Sequence, residues 1–68
     1  EPDVSVQIAV LFRLERERQQ KTLTDIARAL ETSWPAAQRL ERPRGNHTLR
    51  QLERAAAALG KRLHVELV

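Results

Sequence analysis

The pair Trp34–Pro35 lies inside a stretch of helical sequence and restricts how this chain can fold more than any other feature. Proline lacks a backbone N–H, so a helix accepts it in the first turn but not in the interior. Ser33, directly before the pair, is a preferred N-cap residue. The pair therefore predicts that one helix ends near Glu31 and that a new helix begins at Trp34.

The helices on either side of this junction are both predicted to be short. Thr22 and Asp25 have capping-box spacing, so the earlier helix should begin directly after Thr22. In the later helix, Ala37 and Leu40 are predicted to face the core. At about 100° per residue, the outward side then carries Pro35, Gln38, Arg39 and Arg42, with Trp34 at the flank.

A first helix is predicted over residues 4–19, with Asp3 or Ser5 as its N-cap. Ile8 and Leu11 lie on one apolar stripe of this helix. A second apolar stripe consists of Val6, Val10 and Leu14. A surface helix needs only one such stripe, so the second is expected to contact another subunit or a preceding domain.

The last third of the chain predicts a fourth helix, capped by Thr48 and ended by Gly60. Its apolar face is predicted to consist of Leu49, Leu52, Ala56 and Leu59. Residues 62–68 then alternate like a strand, with Leu63, Val65 and Leu67 on one side. A lone strand cannot satisfy its backbone hydrogen bonds, so it should pair with a copy of itself or with another protein. The predicted fold is mainly α, a four-helix domain with a short C-terminal β-strand that pairs across a dimer.

Length and charge limit the classes of protein to which this chain can belong. It has 68 residues and no cysteine, which predicts one small domain over residues 1–68 without disulfides. No apolar run approaches the ~20 residues of a membrane span, and no signal peptide is evident, so we expect a cytoplasmic protein. The net charge is +3, and its excess comes from residues 39–54, with five Arg and two Glu. Arg suits bidentate contacts to phosphate and guanine, which favours nucleic-acid binding over a merely solvated basic face.

The sequence contains no pattern typical of catalysis or metal binding. His47 and His64 lie far apart and there is no cysteine, so no metal site is expected. Ser33, Asp25 and His47 could be read as a triad, but the first two are better explained as helix caps. Neither glycine belongs to a phosphate-binding motif. We therefore expect neither an enzyme nor a cofactor.

Two short helices are separated by a three-residue polar turn, and the second helix carries Gln and Arg on its outward side. These features describe a helix-turn-helix. The run TLTDIARALETSWPAAQRLERP resembles that of the Cro/C1 (XRE-type) family. Thr22 matches the family's capping Thr, Ala27 its small residue where the two helices cross, and Ser33 the cap of its recognition helix. The family usually has Gly at the position of Glu31.

The downstream run TLRQLERAAAALGKRLHVELV narrows this resemblance. It is similar to the C-terminal DNA-binding domain of HicB-type antitoxins, and HipB antitoxins are similar too. The resemblance implies a homodimeric transcriptional repressor that binds a palindromic operator in double-stranded DNA and regulates its own toxin–antitoxin operon. Because the chain begins with Glu1, residues 1–4 are interpreted as a linker from a missing N-terminal domain, through which a cognate toxin would bind.

The resemblance and the pattern together assign three groups of site residues. Base contacts are expected from Trp34, Pro35, Gln38 and Arg39. Phosphate contacts are expected from Thr22, Ser33, Arg42, Arg44, Asn46, His47 and Thr48. The dimer interface is expected to include Val6, Val10, Leu63, Val65 and Leu67.

Each assignment has an alternative. Trp34 could pack over the second helix instead of facing DNA, and Arg39 could form a surface ion pair with Glu41 or Asp25. Residues 42–48 could be a plain connector. Arg50 and Arg54 are interpreted as solvated helix charges. As a whole, the domain could be a protein-interaction or dimerisation module whose Arg cluster serves only solubility.

Overall fold

The computed structural model describes residues 4–43 and 46–68, and this part of the chain forms four α-helices. They are α1 (Val4–Arg18), α2 (Leu23–Leu30), α3 (Trp34–Arg39) and α4 (Leu49–Ala58). The predicted mainly α, four-helix class is confirmed. The described residues contain no β-strand, and 61–68 have no regular secondary structure in the single chain, so strand pairing across a dimer stays a prediction. Asp3, Arg44 and Gly45 lie outside the described residues.

The predicted N-caps Thr22, Ser33 and Thr48 set where α2, α3 and α4 begin. Ser5, one of the two predicted N-caps of α1, lies within that helix, so this prediction is wrong. The Thr22 hydroxyl accepts a hydrogen bond from the Asp25 N–H at 3.1 Å, and the Asp25 carboxylate accepts one from the Thr22 N–H at 2.8 Å. The bond from the Thr22 backbone holds the pKa of Asp25 below its ordinary value. Thr48 and Gln51 form the same reciprocal box at the start of α4.

Ser33 caps α3 as predicted, with its hydroxyl accepting a hydrogen bond from the Ala36 N–H at 3.2 Å. Trp34 is the first helical residue and Pro35 the second, where the missing N–H of proline has no intrahelical partner. The Trp-Pro pair therefore marks the start of a helix.

Residues in the left-handed region end α2 and α4. Glu31 has φ 53°, and the N–H groups of Glu31 and Thr32 return to carbonyls of α2. Gly60, with φ 67°, makes the corresponding turn after α4. Both ends are Schellman motifs. An L side chain at such a φ costs about 1 kcal/mol that glycine avoids, so Glu31 carries strain that Gly60 does not.

Small side chains form most of the core. The buried apolar residues among those described are Ala9, Ile26, Ala27, Ala37, Leu52, Ala55, Ala56 and Leu59. Phe12, Leu30 and Leu40 pack against this group and are half-buried. Alanines let the helices approach closely, and α2 contacts both α3 and α4. The same alanines bury little apolar area, so the core contributes modestly to stability.

Two apolar residues lie outside the core despite their helical spacing. Leu49 is 58% exposed, so its predicted place on the apolar face of α4 is wrong; Ala55 is buried instead. At 100° per residue, Leu49 lies roughly 70° from the centre of the buried face. On α1, Leu11 is also exposed, whereas Ala9 is buried. The core side of α1 is therefore centred closer to Ala9 than the spacing suggested.

Ala27→Leu tests the close approach of α2 to α3, since Ala27 and Ala37 belong to one buried cluster. The added isopropyl group has no room there, so we expect the free energy of unfolding to fall by about 1–3 kcal/mol. Denaturation followed by circular dichroism measures the change. Ala29→Leu, on the exposed side of α2, is the matched control and should alter stability by less than about 0.5 kcal/mol. Equally small effects of both changes would contradict the contact.

Candidate nucleic-acid interface

Helix α3 has one buried side and one polar, exposed side. Ala37 is 1% exposed and Leu40 is half-buried, which fixes the inward side as predicted. Pro35, Arg39 and Arg42 are exposed. Gln38 lies beside them and is half-buried, with its Oε1 accepting a hydrogen bond from Arg42 Nη2 at 3.3 Å. We call Pro35, Gln38 and Arg39, together with Arg42 in the turn that follows the helix, the outward face of α3.

An ion pair fixes the end of α3 against α1. Arg16 binds both carboxylate oxygens of Glu41, with Nη2 at 3.0 Å from Oε1, and its Nη1 donates to the Lys21 carbonyl at 3.0 Å. The two side chains are only 16% and 12% exposed. A bidentate pair with an additional backbone bond restricts both position and rotation, so this pair orients the outward face.

Arg39 has neither of the ion-pair partners that were considered for it. The Glu41 carboxylate binds Arg16, and the Asp25 carboxylate caps α2. No hydrogen bond or ion pair joins the Arg39 guanidinium to another side chain within residues 4–43 and 46–68. Its donors are therefore available to a ligand. Trp34 is 46% exposed, which agrees with its predicted place at the flank and leaves both of its interpretations open.

The segment before α4 lies close to α3. His47 Nε2 lies 3.1 Å from the Arg39 carbonyl oxygen, and Asn46 has φ 52°. These two residues share with Arg39 a cavity of about 320 Å³. The fold thus brings a predicted base-contact residue next to two predicted phosphate-contact residues. Arg44, predicted to contact phosphate, lies outside the described residues.

Arg54 also lines this cavity and was not among the predicted site residues. Its Nη2 donates to the Leu30 carbonyl at 3.4 Å, so the side chain lies across the end of α2 instead of being simply solvated. No spacing rule relates α4 to α3, because the loop between them sets the rotation of α4. The only sequence signal that pointed to Arg54 was the excess of positive charge over residues 39–54.

Thr22 and Ser33 each stand at a helix start, and their hydroxyls accept backbone N–H groups. Each hydroxyl keeps its own O–H as a donor. Thr48 is in the same position at α4. These three predicted phosphate contacts therefore retain a donor while serving as caps.

Two patches of exposed apolar side chains, which we together call the apolar surface, lie on α1 and on the C-terminal segment. Val6 is 37% exposed, Val10 48%, Val65 63% and Leu67 98%. Leu63 is half-buried and lines a hollow of about 290 Å³ whose walls include residues of α1 and the end of α4. The predicted dimer residues therefore remain largely uncovered in the single chain.

Polar contacts hold the end of α1 against the end of α4, beside the apolar surface. Gln19 Nε2 donates to the Leu59 carbonyl at 2.7 Å, and Lys21 Nζ donates to the Ala58 carbonyl at 3.3 Å. Hydrogen bonds from Arg18 and then Gln19 lower the pKa of Glu15 to about 2. The Glu15 carboxylate accepts a hydrogen bond from Gln19 Nε2 at 2.7 Å, which holds the Gln19 amide in place.

Comparisons with known proteins assign no family to this chain: a scan of protein-family models, a search of curated proteins and a search of solved structures each give no match. Within residues 4–43 and 46–68, no helix is long and apolar enough to cross a membrane. The same residues contain no cluster of three or more His, Cys, Asp or Glu side chains suited to a metal ion.

The Arg16–Glu41 pair is testable by a double-mutant cycle. Glu41→Gln or Arg16→Met should each lower the free energy of unfolding by about 2–4 kcal/mol, because each leaves a largely buried partner unmatched. The double variant should be destabilised by less than the sum of the two. Glu17→Gln breaks the exposed Arg13–Glu17 pair and is the matched control, expected to cost less than about 1 kcal/mol. Additive effects no larger than that of the control would show that the pair does not hold α3.

Proposed function

We propose that this chain is a sequence-specific DNA-binding module of the helix-turn-helix type. In this proposal α3 enters the major groove, and the starts of α2, α3 and α4 lie against the phosphates. The observation that carries it is the outward face of α3: a side of a fixed helix whose Arg39 guanidinium has no protein partner among the described residues. Helix-start hydroxyls and Arg42 supply further donors for phosphate, and the net charge of +3 favours an anionic partner.

The resemblance of residues 4–68 to antitoxin DNA-binding domains extends the proposal. The module would act in the cytoplasm as a homodimeric repressor of its own toxin–antitoxin operon, with a cognate toxin bound elsewhere in a longer protein. The uncovered apolar side chains support a dimer, since burying them against a second copy would lower the free energy of the protein. It also supports the second candidate function, a protein-interaction module that does not bind DNA specifically.

A specific strand pairing follows for the dimer. In the single chain His64 Nε2 lies 3.8 Å from Glu66 Oε2, so alternate side chains of the C-terminal segment share a side, as in a strand. An antiparallel pair centred on Val65 sets Leu63 opposite Leu67 of the partner subunit. It also sets His64 opposite Glu66 of the partner subunit. Apolar side chains and opposite charges are thereby matched on the two sides of the ribbon.

DNA binding is tested with isotherms at several salt concentrations, on DNA from upstream of the protein's own gene and on scrambled DNA. Arg39→Ala should lower affinity for the specific DNA by about 1–3 kcal/mol and relax base preference in each half-site. Arg44→Ala should weaken binding to both DNAs and reduce the salt slope by about 1 for each phosphate that the arginine no longer neutralises. Half-site centres should lie about 34 Å apart or a multiple of that.

Arg13→Ala is the control for this experiment, because Arg13 lies on α1 and pairs with Glu17. It should leave specificity unchanged. Equal, sequence-independent reductions in affinity for Arg39→Ala and Arg44→Ala would mean that Arg39 only holds phosphate. If the unmodified protein binds no DNA at low salt, the interaction module becomes the better description.

The dimer is tested by single cysteine substitutions in a chain that has no cysteine. Val65→Cys should form a disulfide-linked dimer rapidly under mild oxidation, because the two copies of residue 65 are directly opposite on the twofold axis. His64→Cys, on the other side of the strand, is the control and should cross-link far more slowly. Ending the chain at Gly60 should give monomer or unfolded protein in sedimentation experiments. A stable dimer after that truncation would refute strand pairing.

A further inference from the structure

The hydrogen-bonding character of the outward face of α3 limits which bases it can read. Two of its four residues, Arg39 and Arg42, have guanidinium groups, which donate and never accept. Pro35 has neither a polar side chain nor an N–H. Gln38 alone among the four could act as an acceptor, and Arg42 Nη2 already donates to its Oε1 at 3.3 Å. The face therefore offers mainly donors.

The carboxylates of Glu41 and Glu31, which are close to α3 in the sequence, do not belong to the outward face. Glu41, one residue before Arg42, is 12% exposed at its side chain and binds Arg16 through both oxygens. Glu31 belongs to the turn before the Ser33 cap and is not part of the outward face. An accepting carboxylate, the group that would select the cytosine amino group, is thus missing from the four residues of the face.

Base edges in the major groove differ in the groups they offer. Guanine presents two acceptors, O6 and N7, to which Arg binds bidentately. Adenine presents an acceptor beside an amino donor, which suits a free Asn or Gln amide, and cytosine presents an amino donor. Thymine presents a single acceptor, O4, beside a methyl group. The paired donors of one guanidinium therefore find two acceptors only on guanine, and they meet an amino donor on adenine and cytosine.

We propose that α3 reads guanine, with the Arg39 guanidinium on O6 and N7 of one guanine in each half-site, and that Arg42 keeps Gln38 from reading adenine. This inference rests on the proposed DNA-binding function and adds the identity of the base. Arg42 is here a positioning residue, whose hydrogen bond uses one lone pair of the Gln38 carbonyl oxygen and orients that oxygen toward Arg42 and away from a base. Without Arg42, the Gln38 amide can present a donor and an acceptor together, the pattern that adenine matches.

The experiment begins by selecting bound sites from randomised palindromic double-stranded DNA with the unmodified full chain. In the best site, each symmetric pair of guanines is then replaced by 7-deazaguanine, which keeps Watson–Crick pairing and lacks the N7 acceptor. One replacement should lower affinity roughly 10-fold. The Arg39→Ala variant should bind the guanine site and the 7-deazaguanine site with equal affinity. The Arg13→Ala variant should show the same difference in affinity between the two sites as the unmodified protein.

The same selection with Arg42→Ala should enrich adenine at one position of the half-site where the unmodified protein does not. Circular dichroism checks that these variants, all at exposed positions, remain folded. Selected half-sites without guanine, or affinity unaffected by every 7-deazaguanine replacement, would overturn the inference and leave DNA binding intact. No selection of any DNA at low salt would overturn both the inference and the proposed function.

Discussion

The ion pair between Arg16 and Glu41 is the contact on which the arrangement of the short helices depends. Helix α3 spans Trp34–Arg39, far below the length at which an isolated helix is stable in water. Its inward side offers little more than Ala37 and Leu40 to hold it. The bidentate pair joins the end of α3 to α1. The additional hydrogen bond from Arg16 to the Lys21 carbonyl also holds the segment that connects α1 to α2. Three segments are thereby fixed by one guanidinium.

This pair also determines the chemistry of the opposite side of α3. A carboxylate at position 41 would otherwise lower the positive potential next to Arg39 and Arg42. Because the Glu41 carboxylate is bound by Arg16, its negative charge is neutralised on the inward side. The same contact therefore holds α3 in place and keeps its outward face positive. Removing the two charges from water is unfavourable. The attraction within such a pair offsets this desolvation only when the geometry is good and further hydrogen bonds are made.

The small core explains why an uncovered apolar surface matters. Five of the eight buried apolar residues among those described are alanines, and Glu31 adds a strained turn. A domain of this size gains limited stability from burial alone. In our proposal the apolar surface on α1 and the C-terminal segment is covered by a second copy, so dimerisation would add both stability and a second α3 for a twofold-symmetric DNA site.

The sequence by itself determined where the helices begin and end. Thr22, Ser33 and Thr48 cap the starts of α2, α3 and α4, and Gly60 ends α4, because capping depends on residues within one turn of each other. It also predicted which side of α3 faces outward, since rotation within a helix is fixed at about 100° per residue. The tertiary structure decided what depends on the relative position of helices. It paired Arg16 with Glu41, left Leu49 exposed and Ala55 buried, and brought Arg54 and Arg39 to the same cavity, because loops fix those positions and no local spacing encodes them.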